Sequence, residues 1–236
     1  MGVNGRRLTR DDWVTVARKA LVASGIDDVK VDVLARRLKV TRGSFYWHFK
    51  NRQDLLDALL EDWEVNNRRE IAQIVARVAD EASGLSEVFR IWYSEDPGYP
   101  SFDLAIRVWA RKSRKVAKIV HQIDNQWIAL FQSYFERSGM KPPESFVRAR
   151  IIHFHQVGYY ALGIAESIGD RLNLAPYYYE ALLGTPPPEE MLNMLAAMSP
   201  AKAKAKAKPK AGAAAKPKPA GRAAAARKVA TRKAAK

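Results

Sequence analysis

Residues 30–55, KVDVLARRLKVTRGSFYWHFKNRQDL, constrain the fold more than any other stretch, because their apolar positions repeat at helical rather than strand spacing. Val31, Leu34, Ala35 and Leu38 fall at i, i+3, i+4 and i+7. They therefore share one face of a short helix and leave Asp32, Arg36 and Arg37 toward water or a partner. Leu38, Lys39 and Val40 make a turn, and Thr41 stands where its hydroxyl can accept a hydrogen bond from an N–H two or three residues on and so start a second helix. In that second helix Phe45 and Phe49, at i and i+4, can plug into a core while Arg42, Gly43, Ser44, Tyr46, Trp47 and His48 point elsewhere. A soluble surface helix has no use for so many outward donors and rings. The arrangement reads as a DNA-binding helix-turn-helix.

The run TRGSFYWHFKNRQDLL, residues 41–56, resembles the recognition helix of the TetR family of bacterial transcriptional regulators. The shared pattern is a small hydroxyl residue, a basic residue, Gly, a small or polar residue, an apolar residue, Tyr, any residue, His-Phe, a few polar residues and then Leu. The likeness extends from Leu8 to roughly Leu60 and is far more specific than a bare helix-turn-helix pattern, which often arises by chance. It implies that Arg42, Tyr46, His48 and Arg52 hold the DNA backbone, that Ser44 and Trp47 reach base edges, and that Gly43 allows close approach; Thr41 and Lys50 complete the expected DNA-binding set. A base-reading tryptophan offers apolar contact to a thymine methyl and one N–H donor, which suits methyl and shape reading better than a bidentate guanine contact. The competing role for Trp47 is packing on a neighbouring helix, since tryptophan is usually mostly buried. Members of the family usually carry Gly in the turn, where this chain has Lys39; a left-handed Lys39 costs on the order of 1 kcal/mol, so the turn is either slightly strained or differently shaped.

The formal charge of +15 is unevenly placed. Residues 1–198 hold 27 Lys+Arg against 25 Asp+Glu, whereas residues 199–236 hold 13 Lys+Arg and no acid. That last segment is rich in Ala, Lys and Pro and has one large apolar residue, Val229, so it cannot bury a core and is expected to be disordered. Its composition resembles the tails of linker histones and bacterial histone-like proteins. Within the body, residues 1–53 are net +7 and residues 54–198 net −5, which puts the positive end where phosphates would be met.

The rest of the chain also reads as helical. Thr9 with Asp12 three residues on makes a capping-box-like start, and Trp13, Ala17, Ala20 and Leu21 form an apolar stripe ending near Ser24 and Gly25. Leu55, Leu56, Leu59, Leu60 and Trp63 open a longer helix expected to run with breaks toward Ala82. After a break at DPGYPS, residues 102–135 keep three- and four-residue apolar steps and stop at Gly139 and Pro142–Pro143. Residues 144–168 are apolar almost all round, predicting a deeply buried helix, and two shorter helices are expected over 176–183 and 188–198. The expected fold is all-α: a three-helix helix-turn-helix domain at 7–67, a helical effector-binding and dimerisation domain at 68–198, and the basic tail at 199–236.

Trp92, Trp109, Trp127, Phe131, Phe154 and Tyr159, together with Tyr93 and Phe102, are candidates to line an apolar ligand cavity, as the C-terminal domain does in many TetR-like proteins; aromatics at helical spacing serve equally as plain core. Gly158, Ala161, Ala165 and Gly169 form a small-residue stripe that permits close helix approach, either across a dimer or within one subunit. His153 and His155 are two apart and point to different faces of a helix, so neither a metal site nor a cofactor is expected. Cysteine is absent, which excludes disulfides and thiolate chemistry. No Gly-x-Ser-x-Gly elbow, His-Glu-x-x-His helix or phosphate-binding glycine loop occurs, so no enzyme is expected. The N-terminus has no apolar run and no segment approaches a membrane span, so the chain is expected to be cytoplasmic, on the nucleoid, without membrane contact. These readings converge on a homodimeric, ligand-responsive repressor that binds a palindromic operator, responds to an apolar or aromatic small molecule, and gains non-specific DNA affinity from its tail. The alternative is an architectural nucleoid-associated protein.

Overall fold

The computed structural model describes residues 7–77, 86, 89, 92–93, 99–164 and 166–199. The expectation of a disordered tail falls outside these residues. All regular structure among the described residues is helical.

Helix α1 (Arg10–Ser24) starts as its sequence requires. Thr9 Oγ1 accepts from the Asp12 backbone N–H at 3.3 Å, and Asp12 Oδ2 accepts from the Thr9 backbone N–H at 2.7 Å, a reciprocal capping box. Gly25, at φ 80°, ends it. Helix α2 (Val31–Leu38) buries Leu34, Ala35 and Leu38 and closes on Lys39, whose φ of 56° and ψ of 42° are left-handed. The Val40 N–H reaches Ala35 O at 3.0 Å, so the turn takes the shape a glycine would allow and a lysine bears the strain.

Helix α3 (Arg42–Tyr46) is a turn and a half, anchored by Phe45 and Phe49, both buried, with ring centroids 5.3 Å apart. The edge of Trp13 meets Phe45, also at 5.3 Å, which ties α3 to α1. The expected Thr41 cap is not formed. Thr41 has the extended backbone of a cap residue, but its side chain makes no capping hydrogen bond; its carbonyl takes the Ser44 N–H at 3.1 Å instead.

Helix α4 (Arg52–Arg77) runs without the expected breaks, so the boundary drawn at 67/68 lies inside one continuous helix that belongs to both halves of the molecule. Its start is capped by Asn51, whose Oδ1 accepts from the Asp54 N–H at 3.0 Å. Helix α5 (Tyr99–Ala110) begins within the predicted break, because Pro100 falls in the first turn, where a missing N–H costs nothing. The single run expected over 102–135 is two helices, with α6 (Arg114–Arg137) starting afresh at Ser113, whose hydroxyl accepts from the Val116 N–H at 3.4 Å.

Helix α7 (Glu144–Leu162) corrects two expectations. It stops at Gly163, left-handed at φ 61°, rather than at Ile168. It is also not buried all round: Ser145, Ala149, Ile152 and His153 face inward, whereas Val147, Ile151 and Phe154 are 49%, 48% and 52% exposed. Helix α8 (Ile168–Leu183) starts earlier than expected, at a Ser167 cap that accepts from the Asp170 N–H at 3.1 Å, and carries Pro176 inside. The burial of Leu172, Ala175, Tyr179, Leu182 and Leu183 holds it there despite the lost hydrogen bond. Helix α9 (Glu189–Met198) follows Pro188.

Helix α6 packs against α4, α5 and α7, and α1 against α5, so the two halves share one core running from Trp13 through Leu59 and Trp63 to Phe131. Arg18 lies over the Phe102 ring at 4.3 Å, and Lys112 and Lys115 reach Asp27 and Asp57 at 2.7 Å each. The two ion pairs are exposed and contribute little; the junction is held by packing.

Candidate functional site

The helix-turn-helix projects its chemistry away from the core. Trp47 is 82% exposed and Tyr46 53%, immediately beyond the buried Phe45. Trp47 therefore does not pack on a neighbouring described helix of its own chain, and its indole stands in solvent; Thr41, Arg42 and Gly43 are exposed as well. Ser44 and His48 are half-buried, and Lys50 is exposed, its backbone N–H tied to Asp54 Oδ2 at 3.0 Å. Arg42 is aimed by two partners: a hydrogen bond with Tyr46 and Asp32 Oδ1 at 3.4 Å, both of which favour its charge. A methyl group added at Gly43 would meet only Thr41 Oγ1, at 3.7 Å. Nothing inside the chain requires glycine there, which leaves an approaching partner surface as its physical reason.

Arg52 is placed differently from the expectation that it holds DNA. Its Nε donates to Val29 O at 2.6 Å and its Nη2 to Ile26 O at 2.8 Å. The guanidinium thus ties the start of α4 to the link between α1 and α2, a positioning role. Sequence reasoning missed this because carbonyl acceptors carry no residue-type signal. It also missed Arg10, which lies over the Phe49 ring at 4.7 Å and pairs with Asp54 at 3.5 Å.

A second site lies in the other half, where α4, α5, α6 and α7 enclose a cleft with about 450 Å³ of empty space, solvent at its mouth included. Of the six aromatics expected to bind a ligand, Trp92, Trp127 and Phe131 are brought together on its wall. Tyr159 lines an adjoining cleft with Tyr93, His155 and Arg171. Trp109 borders a groove between the end of α1 and α5, and Phe154 is on the outer face of α7, so neither reaches this cleft.

The cleft floor is an ion network that the sequence did not reveal. Arg107 grips Asp124 with both Nη atoms, at 3.0 and 2.9 Å, and donates through Nε to Asp103 Oδ2 at 2.7 Å. Trp63 Nε1 donates to Asp103 Oδ1 at 3.1 Å, and His153 Nε2 lies 3.0 Å from Asp124 Oδ1. Above them Trp127 Nε1 donates to Asn67 Oδ1 at 3.1 Å, while Asn67 Nδ2 donates to Trp63 O at 2.9 Å. Burial alone would raise the Asp124 carboxyl, but the hydrogen bonds from His153 and Arg107 outweigh it and hold the group at about 2. Glu70 goes the other way: burial raises it to about 7 against the Asn66 hydrogen bond. Spacing hinted only at the Asp103–Arg107 pair, four residues apart on one helix. No cluster of three His, Cys, Asp or Glu suited to a metal ion occurs among the described residues, and none of their helices is long and apolar enough to cross a membrane.

Residues 14–59 match the family model described as bacterial regulatory proteins, tetR family. The chain is 40% identical over 52 residues to the transcriptional regulator SrpR of Pseudomonas putida, an alignment covering 22% of this chain and 24% of that one. It is likewise 40% identical over 53 residues to the class D tetracycline repressor protein of Escherichia coli, with the same coverage. The sequence likeness thus spans about a quarter of the length of these relatives. The architecture is shared more widely: the ketosteroid transcriptional regulator KstR2 of Mycobacterium tuberculosis superposes with a TM-score of 0.58 at 17% identity, over 79% of this chain and 97% of that one. Residues 14–59 are thus similar to the helix-turn-helix domain of the tetR family of bacterial regulatory proteins, and the whole chain shares the fold of solved regulators.

Proposed function

We propose that the protein is a homodimeric, sequence-specific DNA-binding regulator of transcription, a repressor that a small apolar or aromatic molecule releases from a palindromic operator. The observation that carries this reading is the exposed Tyr46 and Trp47 held on a base of the buried Phe45 and Phe49, with the Trp47 indole left almost wholly to solvent. Thr41, Arg42, Tyr46, His48 and Lys50 are assigned to phosphates, Ser44 and Trp47 to base edges; Arg52 acts through the scaffold. The cleft lined by Trp92, Trp127 and Phe131 is the effector site, within reach of the operator through α4, which carries Asn67 and Glu70 on its wall and Arg52 at the other end. A molecule that fits the cleft in only one position of α4 shifts the population between DNA-competent and DNA-free states. The protein acts in the cytoplasm on the nucleoid, and its tail adds sequence-independent affinity.

The dimer uses the outer face of α7 and α8, where Val147, Ile151, Phe154, Leu174 and Tyr177 are exposed and a side chain added at Gly158 would meet nothing within 4 Å. Ala165 of the small-residue stripe is outside the described residues. Sedimentation at micromolar concentration tests this directly. A dimer that becomes monomeric and loses DNA affinity on Ile151→Asp supports the reading, and a monomeric wild type overturns it.

A further inference from the structure

The ion network leaves one carboxylate over. All three nitrogens of the Arg107 guanidinium are engaged by Asp103 and Asp124. Glu70, half-buried on α4 at the cleft wall, accepts from Asn66 Nδ2 at 3.2 Å and forms no ion pair among the described residues. Around it stand the aromatic surfaces of Trp92, Trp127 and Phe131, whose faces carry negative potential. The Gln156 amide nitrogen is also buried at the cleft with no hydrogen bond among the described residues. Aromatic rings beside a carboxylate that forms no ion pair among the described residues select by charge as well as by shape.

We propose that the cleft binds a small planar aromatic cation, its charge set against Glu70 and its rings against Trp92, Trp127 and Phe131. This rests on the effector-site reading above and narrows its chemistry. A neutral aromatic gains only the apolar contact and leaves an ionised Glu70 without an ion pair among the described residues, whereas an aromatic anion meets Glu70 and Asp103 with no uncommitted cation among the described lining residues to receive it. Gln156 supplies one donor for a carbonyl or hydroxyl on the ligand.

The charge acts through a group that titrates near neutrality. The ionisable groups around Glu70 are Arg69 beside it on α4, Asp103 and Arg107 from α5, Asp124 from α6, and His153 and Tyr160 from α7, with Tyr99 at the start of α5. Asp124, at about 2, stays ionised throughout, and Glu70 gains its charge as pH rises through about 7. Cation affinity therefore increases between pH 6 and pH 8. His153 contacts the same network through Asp124, so the response assigned to Glu70 is the part that Glu70→Gln removes.

The test is isothermal titration calorimetry of the full chain, free of DNA, with N-methylquinolinium and its neutral isostere 1-methylnaphthalene at pH 8. The expected result is a preference for the cation on the order of tenfold, which Glu70→Gln abolishes while leaving the isostere bound as before. Equal affinity of the wild type for both probes overturns the cation assignment and leaves the effector cleft standing, as does a Glu70→Gln protein that keeps the preference. Binding of neither probe overturns the effector-site reading as well.

Discussion

Replacing Arg107 with methionine keeps most of the side-chain volume and removes the one cation that Asp103 and Asp124 share. The side chains of those carboxylates are only 7% and 22% exposed, so solvent cannot replace what is lost. Removing one partner of a buried ion pair costs about 3–5 kcal/mol. Trp63 still donates to Asp103 and His153 still touches Asp124, so the loss belongs at the lower end, about 3 kcal/mol. The sign of its pH dependence follows from Asp124, whose carboxyl is held at about 2 in the folded chain against an ordinary value of 3.8. A depressed folded pKa contributes stability that is fully present above about 4 and is lost as pH falls from 4 toward 2. Without Arg107 the Asp124 carboxylate takes up its proton at higher pH, and the difference between wild type and Arg107→Met shrinks on acidification. Urea unfolding followed by tryptophan fluorescence reads both effects, because Trp63 and Trp127 report from the network itself. A loss below about 1 kcal/mol, well under the range for a buried pair, or a loss that does not shrink as pH falls from about 4 toward 2, would refute the reasoning.

Other outcomes follow from the DNA-binding half and the tail. Tyr46→Ala and His48→Ala should weaken binding to all sequences about equally, while Trp47→Ala should change the preferred sequence without loss of stability, since its side chain is 82% exposed; binding-site selection with each variant checks both. Lys39→Gly should stabilise the fold by about 0.5–1 kcal/mol, the left-handed penalty of about 1–2 kcal/mol less the roughly 0.4–1 kcal/mol that glycine adds to unfolded-chain entropy; a destabilised variant in thermal or urea unfolding would contradict the strain at φ 56°. Cutting after Met198 removes 13 cations on a chain whose flexible span is roughly 35 Å. If most of them meet phosphates, the slope of log K against log salt should flatten by on the order of 10 while operator choice survives, as filter binding over a salt series would show.

Local signals were legible in the residues themselves. The Thr9–Asp12 box, the Gly25 stop, the Leu34–Leu38 face and the Phe45–Phe49 anchor all depend on neighbours within four residues, and each forms as expected. What was lost depends on distant partners. Arg52 looks like a phosphate ligand until Val29 and Ile26 carbonyls, more than twenty residues away, claim it. Trp63 and Asp103 are 40 residues apart and Trp127 and Asn67 are 60 apart, so the cleft network has no local pattern. The fresh start at Ser113 was hidden because apolar periodicity continues across it. Helix α7 departs from expectation for another reason: its apolar residues run all round, yet Val147, Ile151 and Phe154 are exposed in a single chain, on the face proposed to meet a second copy.

The central claim is that two recognition helices of one dimer read DNA together. Selection of the intact protein's preferred sites from random double-stranded DNA tests it most directly. The account predicts an inverted repeat whose half-site centres lie about 34 Å apart, one helical turn, or a multiple of it. Recovery of no consensus, with retention that disappears once residues 199–236 are removed, would contradict it and mark the protein as a sequence-blind architectural binder.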